Sequence, residues 1–120
     1  MPITIQRLEE RIYHATYEGE LTLKEITSGN LEALAQDHDE SPYVAIIDAT
    51  KLKKVPFDVR GIRTMDTSYT AHTVFIVNPP IMLSILIDIL RRIMSKRILT
   101  VDSREEALEK AKEVRDLIAA

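Results

Sequence analysis

The chain has 120 residues, of which 45% are hydrophobic and 29% are charged, and this balance is typical of one soluble globular domain and excludes a disordered chain. Its 16 basic and 19 acidic residues give a formal net charge of −3, which excludes the strongly basic surface of a nucleic-acid-binding domain. No cysteine is present, so disulfides, thiolate metal sites and cysteine nucleophiles are excluded together.

The sequence offers no segment typical of export or of membrane insertion. The first residues lack a basic stretch followed by an apolar one, so we expect no signal peptide. The longest apolar tract, residues 81–94, is interrupted by polar and charged residues and is shorter than the ~20 residues of a membrane-spanning helix. We therefore expect residues 1–120 to form a single cytoplasmic domain.

The first part of the chain predicts a hairpin and then a helix. Apolar and polar residues alternate over residues 3–8, and residues 12–17 are rich in β-branched and aromatic side chains. With a short polar turn between them, these runs predict an antiparallel hairpin whose second strand ends at Gly19. Residues 22–25 have the form of a capping box, and the apolar spacing behind them predicts a helix that extends to Gln36.

The middle of the chain predicts two central strands and a short helix between them. The continuous apolar run at residues 43–48 is typical of a strand that is covered on both faces. We expect the basic residues 51–55 to form a loop and residues 57–65 to form a short helix. Residues 73–77 predict the second central strand.

The last part of the chain predicts a helix, a strand and a further helix. The apolar periodicity predicts a helix over residues 80–95 and a short strand over residues 98–101. Residues 103–106 have the form of a second capping box, and it opens an amphipathic C-terminal helix. The predicted order is β-β-α-β-α-β-α-β-α, which favours an α/β domain with a largely parallel sheet and an antiparallel strand at one edge.

Three local patterns, taken in chain order, are similar to those of one known family. Residues 46–50, Ile-Ile-Asp-Ala-Thr, resemble a strand end of the form hydrophobic-hydrophobic-Asp-x-Ser/Thr. Residues 58–62, Asp-Val-Arg-Gly-Ile, resemble an Asp-Ser-Ser-Gly-Leu helix start, and residues 101–108 resemble a strand followed by Ser-x-Glu-Glu-Ala. In these patterns and in element order the chain resembles the STAS domain of the SpoIIAA-like anti-sigma-factor antagonists. The resemblance implies a STAS fold, with helices on a mixed, largely parallel sheet.

The resemblance also implies a bacterial, regulatory protein-interaction domain rather than an enzyme. In such domains a protein partner, often a kinase of the anti-sigma type, binds around the Asp-Ser-Ser-Gly loop, and phosphorylation of a serine there breaks the complex. Val59 and Arg60 stand at the two serine positions, and valine cannot be phosphorylated. We therefore expect partner binding without a phosphoserine switch.

The residues around the end of the first central strand are the first candidate contact site. Ligands of open α/β sheets bind outside the carboxyl ends of the strands, and basic groups near a helix N-terminus suit an anion or an acidic partner. The alternative is a solvated loop in which Asp58 is only a helix cap. The predicted partner-binding residues are Asp48, Thr50, Asp58, Val59, Arg60, Gly61 and Arg63, with Lys53 and Lys54 close by.

The apolar tract at residues 81–94 is the second candidate contact site. Its polar residues fall on one narrow face of a helix, so its apolar surface is wider than one sheet contact covers. The surplus predicts a homodimer, an apolar ligand such as a lipid, or coverage by other helices of the chain. The residues predicted for self-association or for an apolar ligand are Ile81, Leu83, Ile85, Leu86, Ile89 and Leu90.

Signals for catalysis, metals and cofactors are weak throughout the sequence. The three histidines, His14, His38 and His72, show no metal-ligand spacing, and no nucleophile motif is present. We therefore expect a non-catalytic domain with no metal and no cofactor. The alternative function is a carrier of a lipid or another apolar ligand, and an enzyme that uses Asp48 or Asp58 with the nearby lysines is a third hypothesis.

Overall fold

The computed structural model describes residues 3–20, 30–54, 70–92 and 97–119. Five strands and three helices lie in this part of the chain, in the predicted order. The predicted capping box at residues 22–25 and the predicted helix over residues 57–65 lie outside the described residues. The elements are β1 (Ile3–Glu9), β2 (Ile12–Glu20), α1 (Asn30–Asp37), β3 (Tyr43–Lys54), β4 (Ala71–Val77), α2 (Ile81–Leu90), β5 (Arg97–Val101) and α3 (Arg104–Ala119).

The five strands form one sheet in which spatial order follows chain order, from β1 to β5. The hairpin strand β1 is antiparallel to β2, and β2, β3, β4 and β5 are mutually parallel. The hairpin turn places Arg11 at a φ of 59°, and the Arg11 carbonyl accepts a hydrogen bond from the Val44 N–H. The predicted α/β class, the largely parallel sheet and the antiparallel edge strand are confirmed.

Strand β3 extends further than the sequence predicts. Residues 51–54 belong to the strand, so the predicted loop at residues 51–55 is wrong for these four residues. The reason is that β2 also continues, and its Gly19 lies beside Leu52 after a register shift in the ladder. Gly19 therefore lies inside β2 rather than at its end, at a φ of 69° that side-chain-bearing residues rarely adopt.

One face of the sheet packs against the C-terminal helix α3. Alternate residues of the strands point to this face, and the alanines of α3 let the helix axis approach them closely. Removing this apolar surface from water is the main stabilising contribution of the face. The buried residues of this cluster are Ile12, Val44, Ile46, Phe75, Val77, Val101, Ala107 and Ala111.

The other face of the sheet packs against α1 and α2. Under α1, the buried Tyr13 and Tyr43 rings meet edge to face with centroids 5.4 Å apart. Under α2, Leu83 packs on the buried Ala49 and Leu52. Because both faces are covered, the middle of β3 carries apolar residues at successive positions, as the sequence predicts.

A polar network lies at the edge of the sheet where the parallel strands begin. Arg7 donates from Nε and Nη2 to the two carboxylate oxygens of Glu40 at 2.8 and 2.9 Å, and the hydroxyl of the fully buried Tyr13 donates to the same carboxylate. Hydrogen bonding to Arg7 lowers the pKa of Glu40 to about 2. Burial, together with the hydrogen bond to Glu40, raises the pKa of Tyr13 to about 12. Glu40 is therefore ionised and Tyr13 is neutral at physiological pH.

Candidate functional site

The candidate site is built at the level of the sheet where β4 and β5 end, which we call the carboxyl edge; β2 and β3 continue past this level. Asp48 lies beside Thr16 of β2 and beside Val77, the last residue of β4, so it marks this level of the sheet. The Asn78 N–H donates to the Val101 carbonyl at 2.8 Å and joins the ends of β4 and β5. The topology thus places Asp48 and Thr50 of β3 beside the residues that follow β4 and β5, at the end of the sheet where ligands of open α/β sheets generally bind.

Asp48 supplies a fixed negative charge at the carboxyl edge. The Thr50 N–H donates to Asp48 Oδ1 at 3.0 Å, a local bond within β3 that orients the carboxylate. Partial burial opposes ionisation, but hydrogen bonds from Thr50 and the neighbouring His14 and Arg104 side chains outweigh it and hold the pKa of Asp48 below its usual value. Asp48 is therefore a carboxylate at neutral pH, and the Thr50 beside it is exposed.

His14 is a further member of this site, although the sequence pattern drew attention to it only as a possible metal ligand. It is 3% exposed, pairs in register with Ile46, and its Nε2 has no hydrogen-bond partner in the described part of the chain. Burial lowers the pKa of His14; the charge on Arg104 lowers it further, and the charge on Asp48 opposes this. The signal was available in the strand alternation, since His14 is two residues from Ile12 and so shares its inward face.

The start of α3 completes the described part of the site. Ser103 Oγ accepts from the Glu106 N–H at 3.1 Å, which confirms the predicted cap of this helix. The reciprocal bond of the box runs to Asp102, whose N–H donates to Glu106 Oε2 at 3.3 Å, rather than to Ser103. Interaction with Lys110, and then with the Asp102 N–H, lowers the pKa of Glu106. The exposed Arg104 of the first turn stands next to this cap.

The structure brings together only part of the predicted partner-binding set. Asp48 and Thr50 lie at the carboxyl edge with His14 and Arg104. Lys53 and Lys54 lie in the extension of β3 rather than in a loop. The remaining predicted residues, Asp58, Val59, Arg60, Gly61 and Arg63, lie outside the described residues.

The arrangement suits recognition by charge and hydrogen bonding. The Asp48 carboxylate lies beside the exposed Thr50, and the exposed Arg104 is near enough for its charge to act on Asp48, so each of these groups can pair with a polar group of a partner. Within residues 3–20, 30–54, 70–92 and 97–119, no group of three histidine, aspartate or glutamate side chains converges to hold a metal ion.

Helix α2 carries the second predicted contact surface. Ile81, Ile85 and Ile89 are 80%, 53% and 52% exposed; they recur every four residues, and we call them the α2 stripe. Leu86 is buried and Leu83 packs against the sheet, so these two predicted contact residues face inward, while the side chain of Leu90 lies outside the described residues. The predicted surplus of apolar surface on this helix is therefore present, on three of the five named residues whose side chains the structure describes.

Comparison with known proteins identifies the fold. No family model matches the sequence, and no relative is found among curated proteins. The chain is similar in structure to an uncharacterized protein of the DUF3478 family from Shewanella loihica PV-4, whose crystal structure has a SpoIIAA-like fold. The TM-score is 0.63 at 17% identity, and the match covers 91% of each chain.

This similarity confirms the STAS-like, SpoIIAA-like fold that the sequence patterns imply, and at this identity it concerns the fold alone. None of the helices in the described ranges has the length and apolar character needed to cross a membrane.

Proposed function

We propose that this chain is a non-catalytic, STAS-type regulatory domain that binds a protein partner at its carboxyl edge. The observation that carries the proposal is the set formed by Asp48, Thr50, His14 and Arg104 in a SpoIIAA-like fold. Asp48 is held ionised and Arg104 is exposed, so the edge offers both signs of charge. Such a mixed surface gives specificity for one partner orientation.

Asp58 to Gly61 follow β3 in the sequence. The resemblance to SpoIIAA-like domains supports binding of a protein, such as an anti-sigma-type regulator, around these residues. Val59 and Arg60 occupy the family's serine positions. The proposed complex is therefore not controlled by phosphorylation at these two positions. A cytoplasmic, bacterial setting is the expectation that goes with this role.

The test is comparative binding after the partner has been captured and purified. Replacing Arg60 and Arg63 by glutamate reverses two charges of the predicted partner-binding set. We expect at least about tenfold weaker binding at unchanged thermal stability, because like charges then oppose each other across the interface. Unchanged affinity of the folded variant would contradict the proposed site.

A matched control uses the same charge reversal at exposed basic residues away from the carboxyl edge. Arg97 begins β5 at the opposite end of the strand, and Lys112 lies on α3 beside Glu9; both are exposed. Replacing these two by glutamate alters the net charge by the same amount. Partner affinity is expected to stay within about twofold of the wild-type value, since charges remote from a contact act on it only through weak, screened interactions.

The α2 stripe supports an alternative function, a carrier or binder of a lipid or other apolar ligand. Three exposed isoleucines in one row are unusual for a helix that contacts only water. Native mass spectrometry of freshly purified protein is the test. A retained lipid adduct of defined mass would favour the carrier, and an adduct-free spectrum would favour the interaction domain.

A further inference from the structure

Helix α2 presents opposite charges on the same face as its three exposed isoleucines. At about 100° per residue, Asp88 and Arg92 fall within about 60° of Ile85 around the helix. Asp88 has 72% of its side chain exposed, and Arg92 is exposed in the turn that ends the helix. Asp88 meets Arg91 at 3.4 Å, whereas Arg92 makes no ion pair with any described residue.

We infer that this face binds a second copy of the chain through antiparallel pairing of two α2 helices about a two-fold axis. This inference rests on the proposed function in taking the domain as an interaction module, and it names the occupant of its second surface. A two-fold interface brings the same patch of both copies together, so the patch must be complementary to itself. An apolar row flanked by one acidic and one basic residue meets that requirement.

The positions of Asp88 and Arg92 on α2 determine where the two-fold axis lies. When the Ile89 residues of both copies lie near the axis, Asp88 is offset from Arg92 of the second copy by about two residues, or about 3 Å along the helix. An arginine side chain spans that offset, and the symmetry forms the pair twice. Ile85 then lies within the contact, whereas Ile81 lies at its rim.

The same charges argue against an anionic bilayer as the occupant. Asp88 places a carboxylate on the contact face and pairs with Arg91, so Arg92 alone adds positive charge among the described residues of α2 and the turn that follows it. Anionic lipid surfaces are recognised by clusters of several basic residues on or beside an amphipathic helix. A second copy of the chain can pair with both Asp88 and Arg92, whereas an anionic bilayer can pair with Arg92 alone.

The contact area predicts a weak dimer. Helix α2 has 10 residues and is therefore about 15 Å long. A crossing of two such helices buries less than the ~1,200 Å² of a standard stable interface. The dimer should therefore form and dissociate with protein concentration rather than persist on dilution.

Sedimentation equilibrium over a wide concentration range, with charge-reversal variants, tests the inference. Wild type is expected to show a concentration-dependent monomer–dimer equilibrium. Asp88→Arg should weaken association at least about tenfold, because each new arginine faces Arg92 of the second copy. The double variant Asp88→Arg, Arg92→Asp restores opposite charges across the axis and should recover most of the association. Association of the double variant as weak as that of Asp88→Arg would overturn the pairing.

The isoleucines provide graded controls in the same experiment. Ile85→Glu should abolish the dimer, Ile81→Glu should weaken it less, and Leu117→Glu on α3, where the side chain is 79% exposed, should leave it unchanged. Circular dichroism confirms that each variant is folded. A wild type that stays monomeric at every concentration would overturn the inference while leaving partner binding at the carboxyl edge to its own test.

Vesicle sedimentation with zwitterionic and with anionic phospholipid supplies the remaining comparison. The inference predicts no binding to either kind of vesicle. A chain that remains monomeric, binds anionic vesicles and loses this binding in Ile85→Glu would contradict the inference. The α2 stripe would then be a lipid-binding surface.

Discussion

Glu40 is a buried acidic residue with partners that are distant in the sequence. It is 7% exposed and accepts hydrogen bonds from Arg7 and Tyr13. Replacing Glu40 by alanine leaves the buried Tyr13 hydroxyl without its acceptor, and this costs about 2 kcal/mol of unfolding free energy. Urea denaturation measures the loss. As a matched control, Glu18→Ala removes an exposed pair with Lys51 and should change stability by less than about 0.5 kcal/mol.

The pH dependence of stability provides a second readout for Glu40. Because the folded-state pKa is about 2 against an ordinary value of 4.5, its contribution is complete above about pH 4.5 and is lost as the pH falls towards about 2. Glu40→Gln cannot titrate, so its stability should fall less steeply over this window. Equal slopes for wild type and Glu40→Gln would show that another group controls acid unfolding.

His14 predicts a separate effect nearer neutral pH. Its pKa is lowered from 6.5 in the folded state, so the unfolded chain binds a proton that the folded chain does not. The free energy of unfolding should therefore decrease as the pH falls through about 6.5. His14→Gln stays neutral and should show a flatter profile between about pH 7.5 and about pH 5.5.

These two residues also show what local sequence can and cannot predict. The inward direction of His14 follows from its distance of two residues from Ile12, so strand alternation predicts its burial. The partners of Glu40 do not follow from any local pattern, because Arg7 lies 33 residues away and the pair meets only through the tertiary fold. Long-range polar pairs of this kind depend on the register of the sheet, which the sequence alone left open.

The sequence predicts Ser103 as the cap of α3 and the structure confirms it, although the reciprocal bond of Glu106 runs to Asp102. Ser103→Ala removes the side-chain acceptor of the Glu106 N–H and should cost about 1 kcal/mol, measured by chemical denaturation. Glu109→Ala, at an exposed position of the same helix, is the control and should stay within about 0.5 kcal/mol of wild type. A cost for Ser103→Ala as small as that of the control would mean that packing, not capping, determines where α3 begins.

Helix and strand positions were more predictable than strand lengths. Apolar alternation and continuous apolar runs located every described strand, and the exposed apolar row on α2 follows from the width of its apolar surface. The extension of β3 to Lys54 was missed because its residues are mostly basic. Residues 51–54 pair with the end of β2, and that pairing is a property of two strands rather than of one local run.

The complete sheet follows from a few general rules acting together. Strands that alternate with helices favour right-handed parallel crossovers, and a tight first turn favours an antiparallel hairpin. These rules predict that the first two strands are antiparallel and that the remaining strands are parallel. The three STAS-like patterns indicate the same fold, which the structural similarity confirms. The location of the candidate site at the carboxyl edge could be predicted from Asp48 and Thr50. The roles of His14 and Arg104 there required the packing of α3 on the sheet.

The most direct test of the proposed function is a hydrogen-exchange footprint of the domain in complex with its purified partner. Binding at the carboxyl edge predicts slowed amide exchange in peptides that contain Thr50 and residues 58–63, and in the first turn of α3. Peptides around Glu32 and Glu40, at the opposite end of the sheet, should exchange as in the free chain. Protection confined to those peptides, with the carboxyl edge unchanged, would contradict the account.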